Sequence, residues 1–93
     1  LRRGTKGHLM PTPEESVLDA LCDALIDDHD QMLMALVRCR LRKELPIETV
    51  AERMGVSSED VVAFERYDAN PRLDTIRRYA LAVGARIVTR VAS

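Results

Sequence analysis

The sequence lacks the features that mark several protein classes. It has no tryptophan, one phenylalanine and two tyrosines, which disfavours a reader of single-stranded nucleic acid, because such proteins stack bases on exposed rings. No apolar run approaches the roughly 20 residues of a membrane span, and the opening LRRGTKGHL has no apolar signal-peptide core. We therefore expect a cytoplasmic protein without a membrane partner.

Patterns for catalysis and metal binding are also missing. Cys22 and Cys39 form no CxxC pair and lie in helical, apolar contexts, which predicts reduced thiols. There is no nucleophile–histidine–acid set and no phosphate loop, so we expect neither an enzyme nor a cofactor. The run DDHD at residues 27–30 has ligand types, but neighbouring helical residues point in different directions. It better fits Asp28 as the N-cap of a helix, with Gln31 three residues on.

What is present is a chain of uneven charge. Ninety-three residues, 46% of them apolar, suit one small folded domain. Residues 1–37 hold three basic and seven acidic side chains, whereas residues 38–93 hold eleven basic and eight acidic ones. The net charge of −1 therefore hides a mildly basic second part, which is the electrostatic signature of a nucleic-acid partner.

The chain divides into four predicted regions. Residues 1–11 are expected to be a disordered leader or an expression remnant, and residues 12–29 an acidic amphipathic helix that Thr12 caps. Its apolar stripe is Val17, Leu18, Leu21, Cys22 and Leu25. Residues 30–84 form the central domain and residues 85–93 a tail. Whether the first helix is separate from the next, predicted from Asp30 to Glu44, stays open. The inward positions of that next helix are Leu33, Leu36, Val37 and Leu41.

The strongest motif lies between Pro46 and Tyr67. Small Ala51 permits a close helix crossing, Gly55 suits a left-handed turn, and Val61 anchors a second helix. Apolar residues at the helical spacing i, i+3, i+4, i+7 precede the turn, namely Ile47, Val50, Ala51 and Met54. Ser57 is the predicted N-cap of the second helix, in which Val61 and Phe64 point inward. The pattern predicts a helix-turn-helix.

The end of the chain changes its periodicity. A further helix is predicted from Leu73 to Val83, with Gly84 as its stop and with inward positions Leu73, Ile76, Ala80 and Val83. From Ala85 to Val91 the alternation fits a β-strand, whose dimer contacts would be Ile87, Val88, Thr89 and Val91. The expected neighbour is the same strand of a second copy; the alternative is a frayed tail.

These residues resemble the lambda-repressor-like, or XRE, helix-turn-helix family. The similarity covers about Leu33 to Gly84 and is carried by Arg40, Ala51, Gly55-Val56-Ser57, Val61, Phe64-Glu65, Asn70-Pro71, Leu73, Thr75-Ile76, Ala80 and Gly84. The ending GARIVTRV resembles members with a dimerising strand, among them phage-type regulators and antitoxins. The resemblance implies an all-α bundle, here with an extra N-terminal helix and a short C-terminal strand.

The resemblance also implies site residues. The recognition helix would be Ser57–Tyr67, with Ser58, Glu59 and Ala63 facing bases, and Arg40 would pair structurally with Glu65. Pro46 and Ile47 replace the small polar residue and glutamine that often hold phosphate. Other candidates for phosphate contacts flank the motif: Lys43, Arg53, Ser57, Arg66, Asn70 and Arg72.

Two functions follow from this sequence. The first is a dimeric, sequence-specific transcriptional regulator, repressor-like, that places helix Ser57–Tyr67 in the major groove of double-stranded DNA. The second is an antitoxin or phage-type interaction module, whose main role is to bind a toxin or a phage protein. Specificity in the first case would depend on flanking arginines and DNA shape, because Ser58 and Ala63 are short.

Overall fold

The computed structural model describes residues 13–66 and 69–92. The regular structure of this part consists of the helices α1 (Pro13–Arg42), α2 (Ile47–Met54), α3 (Ser58–Phe64) and α4 (Leu73–Val83). The expected leader, the Thr12 cap and the predicted end of the recognition helix at Tyr67 lie outside the described residues. Among the described helices none is long and apolar enough to cross a membrane.

The first helix is one continuous rod of 30 residues. Between Pro13 and Arg42 the sequence has no glycine and no further proline, so nothing in it breaks the backbone hydrogen bonding. The prediction that Asp28 is the N-cap of a helix is therefore wrong, because Asp28 is an interior residue of α1. Its neighbour Asp27 accepts a hydrogen bond from the side chain of Gln31 at 2.9 Å, one turn further on. α1 ends at Arg42, and Glu44, two residues further on, adopts a left-handed φ of 54°.

The core is built from residues of the second half of α1 and of the other three helices. α2 packs on α3 and α4, and α1 packs on α4. Twelve buried apolar residues form one cluster: Leu33, Leu36, Val50, Ala51, Met54, Val61, Phe64, Ile76, Tyr79, Ala80, Ala82 and Val83. The predicted all-α core is therefore present, and it fixes α2 and α3 against the rest of the chain.

Some predicted inward positions are wrong. Leu41 and Leu73 are 57% and 59% exposed, because each lies at the end of its helix, where no neighbouring element covers it. The apolar stripe of residues 17–25 is exposed along its whole length. Helical periodicity identified these faces as apolar, but the described part of the chain leaves them mostly uncovered.

The predicted C-terminal strand is also wrong. Residues 85–92 contain no strand, since a strand needs a neighbour for its backbone groups and the described chain offers none. The Ala85 N–H instead donates to the Ala80 carbonyl at 2.8 Å and completes the end of α4. Only Ala85 and Ile87 pack against the core. Of the other predicted contacts, Val88, Thr89 and Val91 are exposed.

Candidate nucleic-acid interface

The turn between α2 and α3 is set by Gly55. Its φ of 71° and ψ of 34° lie in the left-handed region, which glycine adopts without steric cost. The turn closes with two backbone hydrogen bonds, from Gly55 N–H to the Glu52 carbonyl at 3.2 Å and from Val56 N–H to the Ala51 carbonyl at 3.0 Å. Ala51 is 4% exposed at this crossing, so a larger side chain there would push α2 away from its neighbours.

The start of α3 is fixed by a reciprocal cap. The Ser57 hydroxyl accepts a hydrogen bond from the Asp60 backbone N–H at 3.1 Å, and the Asp60 carboxylate accepts one from the Ser57 N–H at 3.4 Å. This is a capping box, which satisfies two free N–H groups of the helix start. The carboxylate of Asp60 therefore has a local role. The Ser57 hydroxyl can still donate its own proton to an acceptor such as a phosphate oxygen.

The two faces of α3 differ in chemistry. Val61 and Phe64 are buried, and the Phe64 ring stacks on Tyr79 with centroids 4.2 Å apart. The opposite face carries the predicted base-facing residues: Glu59 and Ala63 are exposed, and Ser58 is half-buried. Val62, also on α3, is 50% exposed. An exposed face of small, apolar and acidic side chains offers a methyl group and a carboxylate acceptor, but no long basic donor.

Three polar side chains hold the end of α3 in place. Arg40 binds Glu65 through two hydrogen bonds, from Nε to Oε2 at 2.6 Å and from Nη2 to Oε1 at 2.8 Å. The Tyr79 hydroxyl donates to the same Oε2 at 2.6 Å. Arg40 also donates to the Leu45 carbonyl at 3.0 Å. The structure thus contains the pair that the resemblance implied, extended by a tyrosine, and it ties α1, α3 and α4 together.

The surroundings of this cluster shift its acid–base behaviour. The hydrogen bonds to Glu65 raise the pKa of the Arg40 guanidinium, although partial burial opposes the shift. Burial raises the pKa of the Tyr79 hydroxyl, and the hydrogen bond that this hydroxyl donates to the Glu65 carboxylate raises it further. Arg40 and Glu65 have side chains only 13% and 12% exposed. The cluster is therefore a protected bidentate ion pair rather than a surface contact.

Two of the predicted phosphate contacts have partners inside the protein. Lys43 Nζ donates to the carbonyls of Val83 and Gly84 at 2.7 and 3.2 Å, and Arg53 Nη1 donates to the Ala82 carbonyl at 2.8 Å. Both cations lie at the C-terminal end of α4, whose unpaired carbonyls attract positive charge. A phosphate would have to compete with these bonds.

Three further predicted phosphate contacts, Arg66, Asn70 and Arg72, lie around the loop between α3 and α4. Arg66 and Asn70 are exposed, and the Arg72 side chain is 86% exposed with Asp74 Oδ1 3.5 Å from its Nε. So exposed a pair has little strength. Asn70 and Pro71 line a shallow cleft with Asp60 and Ala63 of α3. The loop and the predicted base-facing side of α3 are therefore brought together, whereas Lys43 and Arg53 are bound to the end of α4.

The acidic run at residues 27–30 does not build a metal site in the described chain. No group of three histidine, cysteine, aspartate or glutamate side chains converges in the described ranges. Consecutive residues of a helix project about 100° apart, so the four side chains diverge from α1.

Comparisons with known proteins add one similarity. Over 61 residues the chain is 39% identical to the antitoxin HigA1 of Mycobacterium tuberculosis, in strain CDC 1551 / Oshkosh and in strain ATCC 25618 / H37Rv. The matched region is 66% of this chain and 41% of each relative. The chain thus spans less than half the length of these relatives. No protein-family model and no solved structure matches it.

Sequence reasoning missed Tyr79 and the roles of Lys43 and Arg53. Tyr79 lies three residues after Ile76 on α4, so the helical spacing that identified Ile76 also marks Tyr79 as inward. The attraction of cations to helix C-termini is general. That Lys43 and Arg53 reach the end of α4, 40 and 29 residues further along the chain, depends on tertiary packing, which no local pattern encodes.

Proposed function

We propose that this protein is a sequence-specific DNA-binding regulator of the antitoxin type. The observation that carries the proposal is the α2–α3 unit. Its turn, cap and three-residue anchor hold α3 rigidly, while the face of Ser58, Glu59 and Ala63 stays open to a ligand. A rigid helix with an open outer face is what entry into a major groove requires. The similarity to antitoxins supports the regulatory class.

In this proposal two chains bind the half-sites of a near-palindrome, and each inserts α3 into the major groove. Phosphate contacts come chiefly from the α3–α4 loop, where Asn70 shares a cleft with Ala63 and the side chain of Arg72, two residues further on, is exposed. Because the outer face of α3 has no long basic donor, sequence preference arises mainly from DNA shape and half-site spacing. Promoter occupancy alone would repress transcription, so no chemical step is needed.

The test uses fluorescence anisotropy, at several salt concentrations, to measure binding of the full chain to DNA from upstream of its own gene. Ala63→Glu places a charge on the exposed face of α3 without touching the core, and we expect it to abolish specific binding. Arg72→Ala should weaken binding to specific and unrelated DNA alike and lower the salt slope by about 1. Arg86→Ala, an exposed arginine in the tail, is the matched control. Failure to bind at low salt, or indifference to Ala63→Glu, contradicts the proposal.

A second candidate function is protein binding without a DNA role. It is favoured by the exposed apolar stripe at residues 17–25, which DNA contacts do not use, and by the name of the relatives. Its partner would be a toxin or a phage protein. If the chain does not bind its upstream DNA but relieves the toxicity of a protein encoded beside it, this candidate replaces the first.

A further inference from the structure

The apolar side of α1 continues beyond the core that covers its second half. The N-terminal part of the helix, residues 13–28, is here called the arm. Leu18, Leu25 and the buried Leu36 follow one another at intervals of 7 and 11 residues, close to two and three whole turns, so they lie on one side of α1. The large apolar side chains of the arm, here called its stripe, are 54% to 66% exposed: Val17, Leu18, Leu21, Leu25 and Ile26.

The rest of the chain covers this side of α1 only in its second half. Leu33 and Leu36 are buried in the core, and His29 is half-buried where it lines a cleft with Ala69 and Asn70 of the α3–α4 loop. Every residue of the arm is exposed. A cover for the stripe therefore has to come from outside the described part of the chain.

Most of the acidic side chains of the arm lie away from the stripe. Asp23 and Asp27 are each two residues from Leu25, which places them about 160° around the helix from it. Asp19 lies one turn before Asp23 on the same outer face. Two arms that meet stripe to stripe would therefore keep these carboxylates in water. The length of the stripe, from residue 17 to residue 26, contains no charge on its apolar side that would need an opposite charge on a partner.

The position of the other helices fixes the direction in which two arms can pair. Because α1 packs on α4 with the same side that carries the stripe, the α1 of a parallel partner would run into the space that the rest of the chain occupies. An antiparallel partner runs the opposite way and meets only the arm. In a pair centred on the stripe, between Leu21 and Cys22, Pro13 of one copy lies level with Asp30 of the other. The arm of each copy thus ends where the core of the other begins.

We propose that two copies of this chain associate through their arms, stripe to stripe and antiparallel. The arrangement is closed and two-fold, with Leu21 and Cys22 of both copies at its centre and Leu18 of each level with Leu25 of the other. About 500 Å² of exposed stripe on each copy gives an interface of about 1,000 Å², the size at which specific interfaces begin.

This pairing deepens the proposed function, on which it rests for its biological role, because a two-fold DNA site requires two linked copies. It can be measured without DNA. A chain that stays monomeric but binds its upstream DNA would lose the pairing and keep the proposed function, and a dimer that binds no DNA would do the reverse.

The first experiment measures the mass of the full chain by analytical ultracentrifugation without DNA. Leu21→Asp places a carboxylate at the centre of the pair. Met34→Asp is the matched control, because Met34 is 51% exposed against 54% for Leu21 and lies nine residues, or about 2.5 turns, from Leu25, on the opposite side of α1. We expect dimers for the wild type and Met34→Asp, and a dissociation constant at least about tenfold higher for Leu21→Asp.

Three results of this experiment overturn the proposal. They are a monomeric wild type, which would leave the stripe to a different protein, a dimer that Leu21→Asp does not weaken, and equal weakening by Met34→Asp. Circular dichroism checks that both variants keep the helix content of the wild type, which the exposure of both residues leads us to expect.

The second experiment tests the direction of the pair through disulfide formation, which needs Cα atoms within about 7 Å. In Cys39→Ser the remaining thiol is the exposed Cys22, and we expect covalent dimers on mild oxidation, whereas Cys22→Ser should give none. With both cysteines replaced by serine, Leu18→Cys alone should give none either, because the two copies of this residue lie about 10 Å apart along an antiparallel pair. A mixture of Leu18→Cys and Leu25→Cys chains should crosslink.

Two results would contradict the antiparallel contact. Covalent dimers of the Leu18→Cys chain alone would show that the arms run parallel. An absence of covalent dimers in Cys39→Ser would show that the centres of the two stripes do not meet. Either result overturns the proposal.

Discussion

The two halves of α1 have apolar residues at the same helical spacing but opposite surroundings. In the second half Leu33 and Leu36 are buried, at 8% and 4% exposure, and Arg40 is tied to another helix. In the first half Leu18 and Leu21 are 60% and 54% exposed. The difference shows that an amphipathic pattern predicts a helix and its apolar face. It leaves open whether the surface that covers this face belongs to the same chain.

The largest expected effect comes from the same substitution in each half. Leu36→Ala should lower the free energy of unfolding by about 2 to 4 kcal/mol, because it opens a cavity in the core. Leu21→Ala should leave the stability of the single chain within about 0.5 kcal/mol. Urea unfolding over a roughly hundredfold range of protein concentration measures both effects.

Concentration separates the two kinds of contact. The loss in Leu36→Ala should be the same at every protein concentration, whereas Leu21→Ala should lower stability only in samples concentrated enough for another chain to cover the first half of α1. A large loss of stability in Leu21→Ala in the most dilute samples would mean that the first half of α1 is covered by its own chain, which contradicts the contrast between the halves.

The contrast also explains which parts of the fold were predictable. Ala51, Gly55, Val61 and the Ser57 cap were predictable because close crossing, left-handed turns and caps impose local demands on residue type. The pairing of Arg40 with Glu65 came from the family resemblance. The strand expected at Ala85–Val91 failed because β-branched alternation describes a side-chain pattern, while a strand needs a neighbouring backbone.

The candidate site was less predictable than the fold. The face of α3 was located. The sequence, however, does not distinguish a basic side chain that contacts phosphate from one that binds a carbonyl of its own chain. Lys43 and Arg53 bind the end of α4, and Arg72 stays exposed. The distinction depends on where α4 ends in space, which the positions of Lys43 and Arg53 in the sequence do not contain.

A second comparison concerns the side-chain hydrogen bonds made by the two halves of α1. Glu65→Gln removes the carboxylate charge to which both Arg40 and Tyr79 donate hydrogen bonds. Because Arg40 and Glu65 have little solvent access, we expect the change to lower the free energy of unfolding by about 2 kcal/mol. Asp27→Asn makes the matched change in the exposed tie to Gln31, which is worth no more than about 0.5 kcal/mol. Thermal unfolding at neutral pH compares the two variants, and equal losses would show that the part-buried cluster of Arg40, Glu65 and Tyr79 does not anchor α3.

The smallest expected effect is a pH dependence of stability that comes from Tyr79, in the cluster that holds the second half of α1. The pKa of Tyr79 is raised in the folded protein above the ordinary tyrosine value of about 10. Above that value the unfolded chain releases the tyrosine proton while the folded chain keeps it. Stability from this group is therefore complete below about pH 10 and falls as the pH rises, by about 1.4 kcal/mol per unit.

Tyr79→Phe isolates this contribution. Every other titratable group is common to both proteins, so the difference between wild type and variant reports Tyr79 alone. Urea midpoints measured from neutral to alkaline pH should give two curves that converge above about pH 10, because the variant has no buried hydroxyl whose proton is retained. Parallel curves would mean that Tyr79 ionises as readily in the folded protein as in the unfolded one, and that its hydroxyl does not hold Glu65. In that case the end of α3 would be anchored by Arg40 alone.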